Sequence, residues 1–220
     1  MHQLSEQAAL DARKRPVRVL SLLDSLARAA ISPVTVRVLH ELAYLTNVLA
    51  PVFDLPPFSA SLLRRRGGPY YPELQETVDL LVGRRMVDVA DIRYVYDTDE
   101  GRYRLDANYR LNDDLAADAV LEYRRVYAHT SEPLFIDELA AAYSLLADDQ
   151  LGGVARYDAR YGDENVDTND VIDFGQWSEA SKTNFSRNSA LSFRPGERLN
   201  PAERLYMYMA HVQRRAAGGR

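Results

Sequence analysis

The sequence predicts a mainly α-helical protein with one small β-hairpin, and three observations carry that prediction. Apolar residues recur at helical spacing through most of the 220-residue chain. Proline next to a hydroxyl or amide residue marks where several of these runs begin. One tyrosine- and arginine-rich stretch alternates instead with the two-residue period of a strand. With 46% hydrophobic and 27% charged residues, the chain can bury a real core and is too apolar for a disordered polymer.

Residues 1–16 read as a frayed, partly helical tail. After Pro16, Val19, Leu22, Leu23 and Leu26 recur at spacings of three and four and predict a first amphipathic helix. Ser32-Pro33 reads as a hydroxyl N-cap followed by proline at the first helical position, and Val34, Val38, Leu42, Leu45 and Leu49 form the stripe of a second helix. The run APVFDLPPF holds three prolines and reads as a loop; SASLLRRR after it is a short ambiguous segment that ends in Arg64, Arg65 and Arg66. Gly67-Gly68-Pro69 breaks the chain. Pro72 restarts it as a third helix to about Arg84, with Glu73 suited to the N-terminal dipole and Leu74, Val78, Leu81 and Val82 on its apolar face.

Next, Val87/Val89, Tyr94/Tyr96 and Tyr103/Leu105 alternate with polar residues around the turn-rich DTDEG, which predicts the hairpin. Asn112 caps an expected fourth helix with Leu115, Ala119, Tyr123 and Val126 on one face, and Pro133 opens a fifth with Phe135, Leu139, Ala142 and Leu146 in line. No period holds over 152–196, which reads as a long irregular segment. Asn200-Pro201-Ala202-Glu203 starts a final helix with Leu205, Tyr208, Met209 and Val212 as its apolar face. Three helices followed by a hairpin is the order of a winged helix-turn-helix, the hairpin being the wing. The expected organisation is therefore a tail at 1–16, a winged-helix domain at 17–112, and a C-terminal helical region at 113–220.

Composition excludes several chemistries. Without cysteine there is no disulfide framework, thiolate zinc site, iron–sulfur cluster or cysteine nucleophile. A net charge of −5 gives no general pull toward nucleic acid or an anionic membrane. Residues 1–112 are nearly balanced, with 15 basic and 14 acidic side chains, whereas 113–220 carry 12 and 18. No window approaches eighteen uninterrupted apolar residues, so the chain is expected to be cytoplasmic, without a membrane partner.

The sequence holds no phosphate-cradling loop and no G-x-S-x-G elbow. None of the four histidines stands at i, i+4 to another. The acidic run from Asp158 to Asp173 misses a calcium loop, with Thr168 at the sixth position and Phe174 at the twelfth. No catalytic residue, metal site or cofactor is expected, and the chain reads as non-enzymatic.

The expected third helix exposes Glu73, Glu76 and Asp79, which disfavours base readout in a major groove. Arg64, Arg65 and Arg66, with Arg93, Arg102 and Arg104 of the hairpin, are the candidates for weak, backbone-only contact with duplex DNA. The 14 tyrosines and the aromatics spread through 152–196 suit protein docking better. Tyr70, Tyr71, Glu73, Trp177 and Phe185 are the candidate partner contacts, with the lone tryptophan, Trp177, as the expected hot spot.

The run GGPYYPELQETVDLLVGRRMVDV, after two helices and before a hairpin, resembles the middle components of bacterial three-component ABC ATPase systems. The similar part covers about residues 17–112, with Gly68, Pro69, Tyr70, Pro72, Glu73 and Leu74 as its clearest element. The resemblance implies an accessory subunit of a Lamassu-type anti-phage or anti-plasmid defence complex. Its partners would be an ABC ATPase similar to structural-maintenance-of-chromosomes (SMC) proteins, bound near the heads, and an effector protein. The alternative is a free-standing winged-helix transcription regulator, dimeric through its C-terminal helices; a metal-dependent nuclease or toxin ranks below both.

Overall fold

The computed structural model describes residues 2–59, 61–65, 68–98, 101–158, 171–173, 184–193 and 198–218, of which 2–9, 11, 61–65, 102, 171–173 and 185 are described by backbone alone. The chain is mainly α-helical with two small antiparallel sheets. Helix α1 spans His2–Arg28 and continues through Pro16, so the segment expected to fray is helical. Tertiary contacts on both sides of the proline offset its missing donor. Lys14 lies 4.7 Å over the Tyr127 ring, Arg15 pairs with Glu73, and Arg18 pairs with Glu132.

Ser32-Pro33 does not open the second helix. Val34 and Thr35 form a short strand, β1, paired with Tyr109 and Asn108. Thr35 is the N-cap of α2 (Val36–Leu49), its side chain accepting from the Val38 amide at 3.4 Å. Strand pairing and burial of Val34 take the residues that local rules had assigned to the helix. A 3-10 turn follows at Ala50–Phe53. The segment SLLRR is a strand, β2 (Ser61–Arg65), between β3 (Gly68–Tyr70) and β6 (Val171–Asp173). Leu63 pairs with both Tyr70 and Val171.

Helix α3 is Pro72–Gly83, with proline in its first turn as expected. Strands β4 (Val87–Asp97) and β5 (Arg102–Leu111) form the hairpin, and the sheet order is β1-β5-β4. Helix α4 (Asp113–Val126) is capped by the Asn112 side chain, which accepts from the Leu115 amide at 3.2 Å. Helix α5 is Glu132–Tyr143. Helix α7 (Pro201–Gly218) opens on a reciprocal box in which Asn200 Oδ1 accepts from the Glu203 amide at 2.9 Å and the Asn200 amide donates back at 2.7 Å.

One connected core joins Leu20 and Leu26 of α1, Leu42 and Leu45 of α2, Phe135 and Leu139 of α5, and Met209 of α7. It runs across the boundary expected at Asn112 without a gap. Several of the polar groups buried with it are paired, as burial requires, whereas the buried Ser21 Oγ is not. Glu41 of α2 accepts from the Ala155 amide at 2.8 Å and from the Tyr143 hydroxyl. That hydroxyl in turn accepts from the Gly152 amide at 2.8 Å. Gly152 has a φ of +75°, and a Cβ there would stand 3.2 Å from the Arg37 Cβ, so both backbone and space call for glycine. Asp158 is buried and accepts from the hydroxyls of Tyr44, Tyr208 and Ser186.

The segment 152–196, expected to be irregular throughout, is therefore ordered in its described parts. Val154–Tyr157 is a 3-10 turn with Val154 and Ala155 buried, and α6 spans Phe185–Ser192 with Ser186 and Ala190 buried. Asn184 caps α6 and also donates to the Val48 carbonyl of α2 at 3.0 Å. Short-range sequence carries no signal for anchors of this kind, because each partner lies far away in the chain.

Burial pushes the Glu41 carboxyl up to about 7, against the bonds from Ala155 and Tyr143. A raised folded-state pKa means that this group's contribution is fully present below about pH 4.5 and is lost as pH rises through about 7. We predict that stability falls between pH 5 and pH 8 by up to about 3 kcal/mol from this group, and that Glu41→Gln abolishes that part of the slope. Thermal unfolding of both proteins across the range measures it; parallel profiles would refute the assignment.

Candidate functional site

Two features of the surface are built from residues that the sequence singled out. The first is a cavity of about 400 Å³, open to solvent on one side and lined by α1, α2, α3 and the chain at Phe58–Ser59. Its wall is mostly apolar, from Val19, Leu22, Leu39, Ala43, Leu74 and Ile136. Arg15 and Glu73 bridge its solvent side, Glu73 with 68% of its side chain exposed.

Residues of α2 organise the cavity's edge. The Tyr71 amide donates to His40 Nδ1 at 3.1 Å, which leaves the ring hydrogen of a neutral His40 on Nε2, 3.4 Å from Gln75 Oε1. Asn47 Nδ2 donates to the Tyr71 hydroxyl at 2.9 Å, while Asn47 Oδ1 accepts from the amides of Phe58 and Ser59 at 2.7 and 2.9 Å. The Tyr70 ring lies 4.9 Å from that of His40. Two side chains, about two turns apart on α2, thus hold both the β3–α3 junction and the chain at Phe58.

Arg18 also lines the cavity. Its guanidinium lies 4.1 Å from the centroid of the Phe58 ring and meets Glu132 through two bonds, at 2.7 and 3.0 Å. Tyr123 donates to the same carboxylate at 2.6 Å. Burial alone would raise the Glu132 carboxyl, but the bonds and charge of Arg18 outweigh it and hold it below the usual range.

The second feature is the outer part of the hairpin. Tyr94 pairs with Leu105 and Tyr96 with Tyr103, and cross-strand partners share a face. That face continues the one whose inner residues, Val87, Tyr109 and Leu111, enter the core. Beyond the protein body it is bare: Tyr94 is 76% and Tyr103 70% exposed, with Ile92, Tyr96 and Leu105 also exposed. A bulge between Ala90 and Arg93 separates the two parts, and Asn108 steadies it by donating to Asp91 at 2.8 Å.

Charges accompany this hairpin. Arg93 faces Asp106 at 3.7 Å, Arg104 faces Asp97 at 3.3 Å, and Arg110 faces Asp88 at 3.2 Å. Arg37 of α2 sits in the field of both Arg104 and Arg156. Burial first, and then those two guanidiniums, hold it below the usual arginine range. The sequence reading found Arg104 but neither Arg37 nor Arg156, because the three stand on different elements and no spacing connects them.

The other candidates fall as follows. Tyr70, Tyr71 and Glu73 come together at the start of α3, but Tyr71 is only 3% exposed. Its bonds to His40 and Asn47 make it a support of the cavity's edge instead of an outward-facing contact. Glu76 and Asp79 are exposed on α3, as expected. Arg64 and Arg65 belong to β2, Arg102 opens β5 and Phe185 opens α6, all with side chains outside the described part. Arg66 and Trp177 lie outside the described residues. Among the described residues no group of three or more histidines and carboxylates could hold a metal ion, and no helix is long and apolar enough to cross a membrane. Compared with known proteins, the chain matches no family model, no curated protein and no solved structure.

We predict that Asn47→Ala, which strands the amides of Phe58 and Ser59 and takes one donor from the Tyr71 hydroxyl, costs about 2–4 kcal/mol, and that Tyr71→Phe costs about 1 kcal/mol. Denaturant unfolding measures both. Equal costs would mean that the asparagine acts only through the tyrosine.

Proposed function

We propose that this chain is a non-enzymatic winged-helix accessory subunit that docks on an SMC-like ABC ATPase in a bacterial anti-phage or anti-plasmid defence complex. In this reading it works in the cytoplasm beside an effector protein and touches duplex DNA weakly, without sequence preference. The single observation that carries the docking is the bare apolar face at Ile92, Tyr94, Tyr96, Tyr103 and Leu105. Large contiguous apolar surface on a protein marks an interaction site, and tyrosine is enriched at such interfaces.

The winged-helix assignment is supported by the order α1, β1, α2, α3, β4, β5, in which the 3-10 turn and strands β2 and β3 stand between α2 and α3, and by the short β1 lying beside β5 in the sheet. The ATPase partner rests on the resemblance of residues 17–112. Base readout is disfavoured, because α3 presents Glu73, Glu76 and Asp79 where a groove-reading helix carries donors for bases and phosphates. Backbone contact through Arg93 and Arg104 would have to displace Asp106 and Asp97. Weak, steeply salt-dependent binding follows from that competition.

Co-expression with the neighbouring genes and affinity capture tests the docking. The ATPase is expected to co-purify with the wild type and to be lost with Tyr94→Asp/Tyr103→Asp, which exchanges exposed side chains and leaves thermal stability within about 1 kcal/mol. Retention of the ATPase by that variant would refute the hairpin as the docking face. For DNA, anisotropy titrations of unrelated duplexes are expected to give equal affinities. Arg93→Ala/Arg104→Ala is expected to reduce the slope of log affinity against log salt by about two. A footprint at one defined sequence at physiological salt would overturn the reading.

A further inference from the structure

The cavity between α1, α2 and α3 has the construction of a ligand site. Its volume of about 400 Å³ lies within the range of small-molecule pockets, about 300–1,000 Å³. Such pockets join an apolar wall to a few placed polar groups, and this one does so with Arg15 at its solvent side. We propose that the cavity binds a small apolar molecule carrying one carboxylate, its hydrocarbon body against Leu22, Leu39, Ala43, Leu74 and Ile136 and its carboxylate on the Arg15 guanidinium.

The choice of head group follows from the charges. Arg15 holds a carboxylate already, that of Glu73, through one Nη2–Oε2 contact, so the position accommodates an arginine–carboxylate pair. Glu73 is a weak competitor, because an ion pair with one partner 68% exposed is worth little. The cavity's other cation, Arg18, is engaged by Glu132 through two bonds and stacked on Phe58, so it is committed to the interior. One exchangeable guanidinium matches one carboxylate and does not balance the two charges of a phosphate. An ammonium head would meet two arginines, with Glu73, already paired, as the only carboxylate among the described residues that line the cavity. Occupancy would release Glu73 into solvent at the first turn of α3. The inference stands independently of the docking reading.

Sodium octanoate, 1-octanol and octylammonium chloride share one hydrocarbon chain and differ in the head, so they separate the two parts of the site. Calorimetric titration of the full chain, with methyl NMR shifts as a second readout, is expected to show saturable one-to-one binding of octanoate in the millimolar range or tighter. Shifts should centre on Leu22, Leu39, Leu74 and Ile136. Octanol should bind about tenfold more weakly and octylammonium not at all. Arg15→Ala should lower octanoate to the level of octanol and leave octanol unchanged, and Ala43→Phe, which fills the cavity, should remove both. If Ala43→Phe does not unfold cooperatively, the Arg15→Ala comparison and the wild-type shifts still decide. No saturation by octanoate, equal affinity for the three heads, an unchanged affinity in Arg15→Ala, or shifts centred elsewhere would each overturn the proposal.

Discussion

A guanidinium taken out of water must be met by charge and hydrogen bonds, and the packing of this chain depends on how that demand is satisfied at Arg18. The residue lies in the middle of α1 and faces inward, where its two bonds to Glu132 and the added donor from Tyr123 lock α1 to α5 and α4 at once. Removing one partner from such a pair leaves a buried charge alone and costs about 3–5 kcal/mol, whereas the intact pair contributes chiefly geometry. Two turns further along α1, the arrangement recurs in wetter form. Arg124 of α4 reaches Asp24 at 2.9 Å and Asp137 at 2.8 Å, and Arg28 and Ser25 bind the same Asp137. The bonds from Arg124, Ser25 and Arg28 overcome the burial of that carboxyl and hold it at about 2. Two fixed points along one helix set its rotation and its height, and everything that packs on its other side inherits both.

What could be read from the sequence was whatever its own neighbours decide. The starts of α3, α4 and α7 were legible because proline, asparagine and glutamate act within one turn of where they stand. The hairpin was legible because alternation needs only the hairpin itself. The continuation of α1 through Pro16, the strand at Val34–Thr35 and the sheet β3-β2-β6 were not, since each exists through a partner far along the chain: Glu132, Tyr109 and Asp173. The site divides the same way. Glu73 and Tyr70 stood out as a motif, but the burial of Tyr71 follows from His40 and Asn47 of another helix. The meeting of Arg37, Arg104 and Arg156 follows from three elements packing together.

The hairpin also shows what periodicity leaves open. Val87, Tyr109 and Leu111 obey the same alternation as Tyr94, Tyr96 and Tyr103, yet the first group is buried and the second bathed in water. Alternation identifies a face but cannot say how far the body of the protein extends beneath it. At the tip, the pairing of Tyr96 with Tyr103, rings 5.2 Å apart and edge-on, recovers a little of the burial that the body does not supply.

The bulge at Ala90–Arg93 makes the outer hairpin a cantilever. Below it, register is pinned by side chains wedged into the body, with Val87 opposite Leu111 and Val89 opposite Tyr109. Above it, the tyrosine face is left to its own cross-strand pairs, while on the opposite face Arg104 and the nearly buried Asp97 still lie in the field of Arg37 of α2. A cross-strand pair inserted or deleted beyond the bulge would change the overhang by about 3.4 Å and leave the clamped base untouched. Span and anchorage are therefore separable in this architecture, and evolution can lengthen or shorten the beam without having to rebuild the wall that holds it.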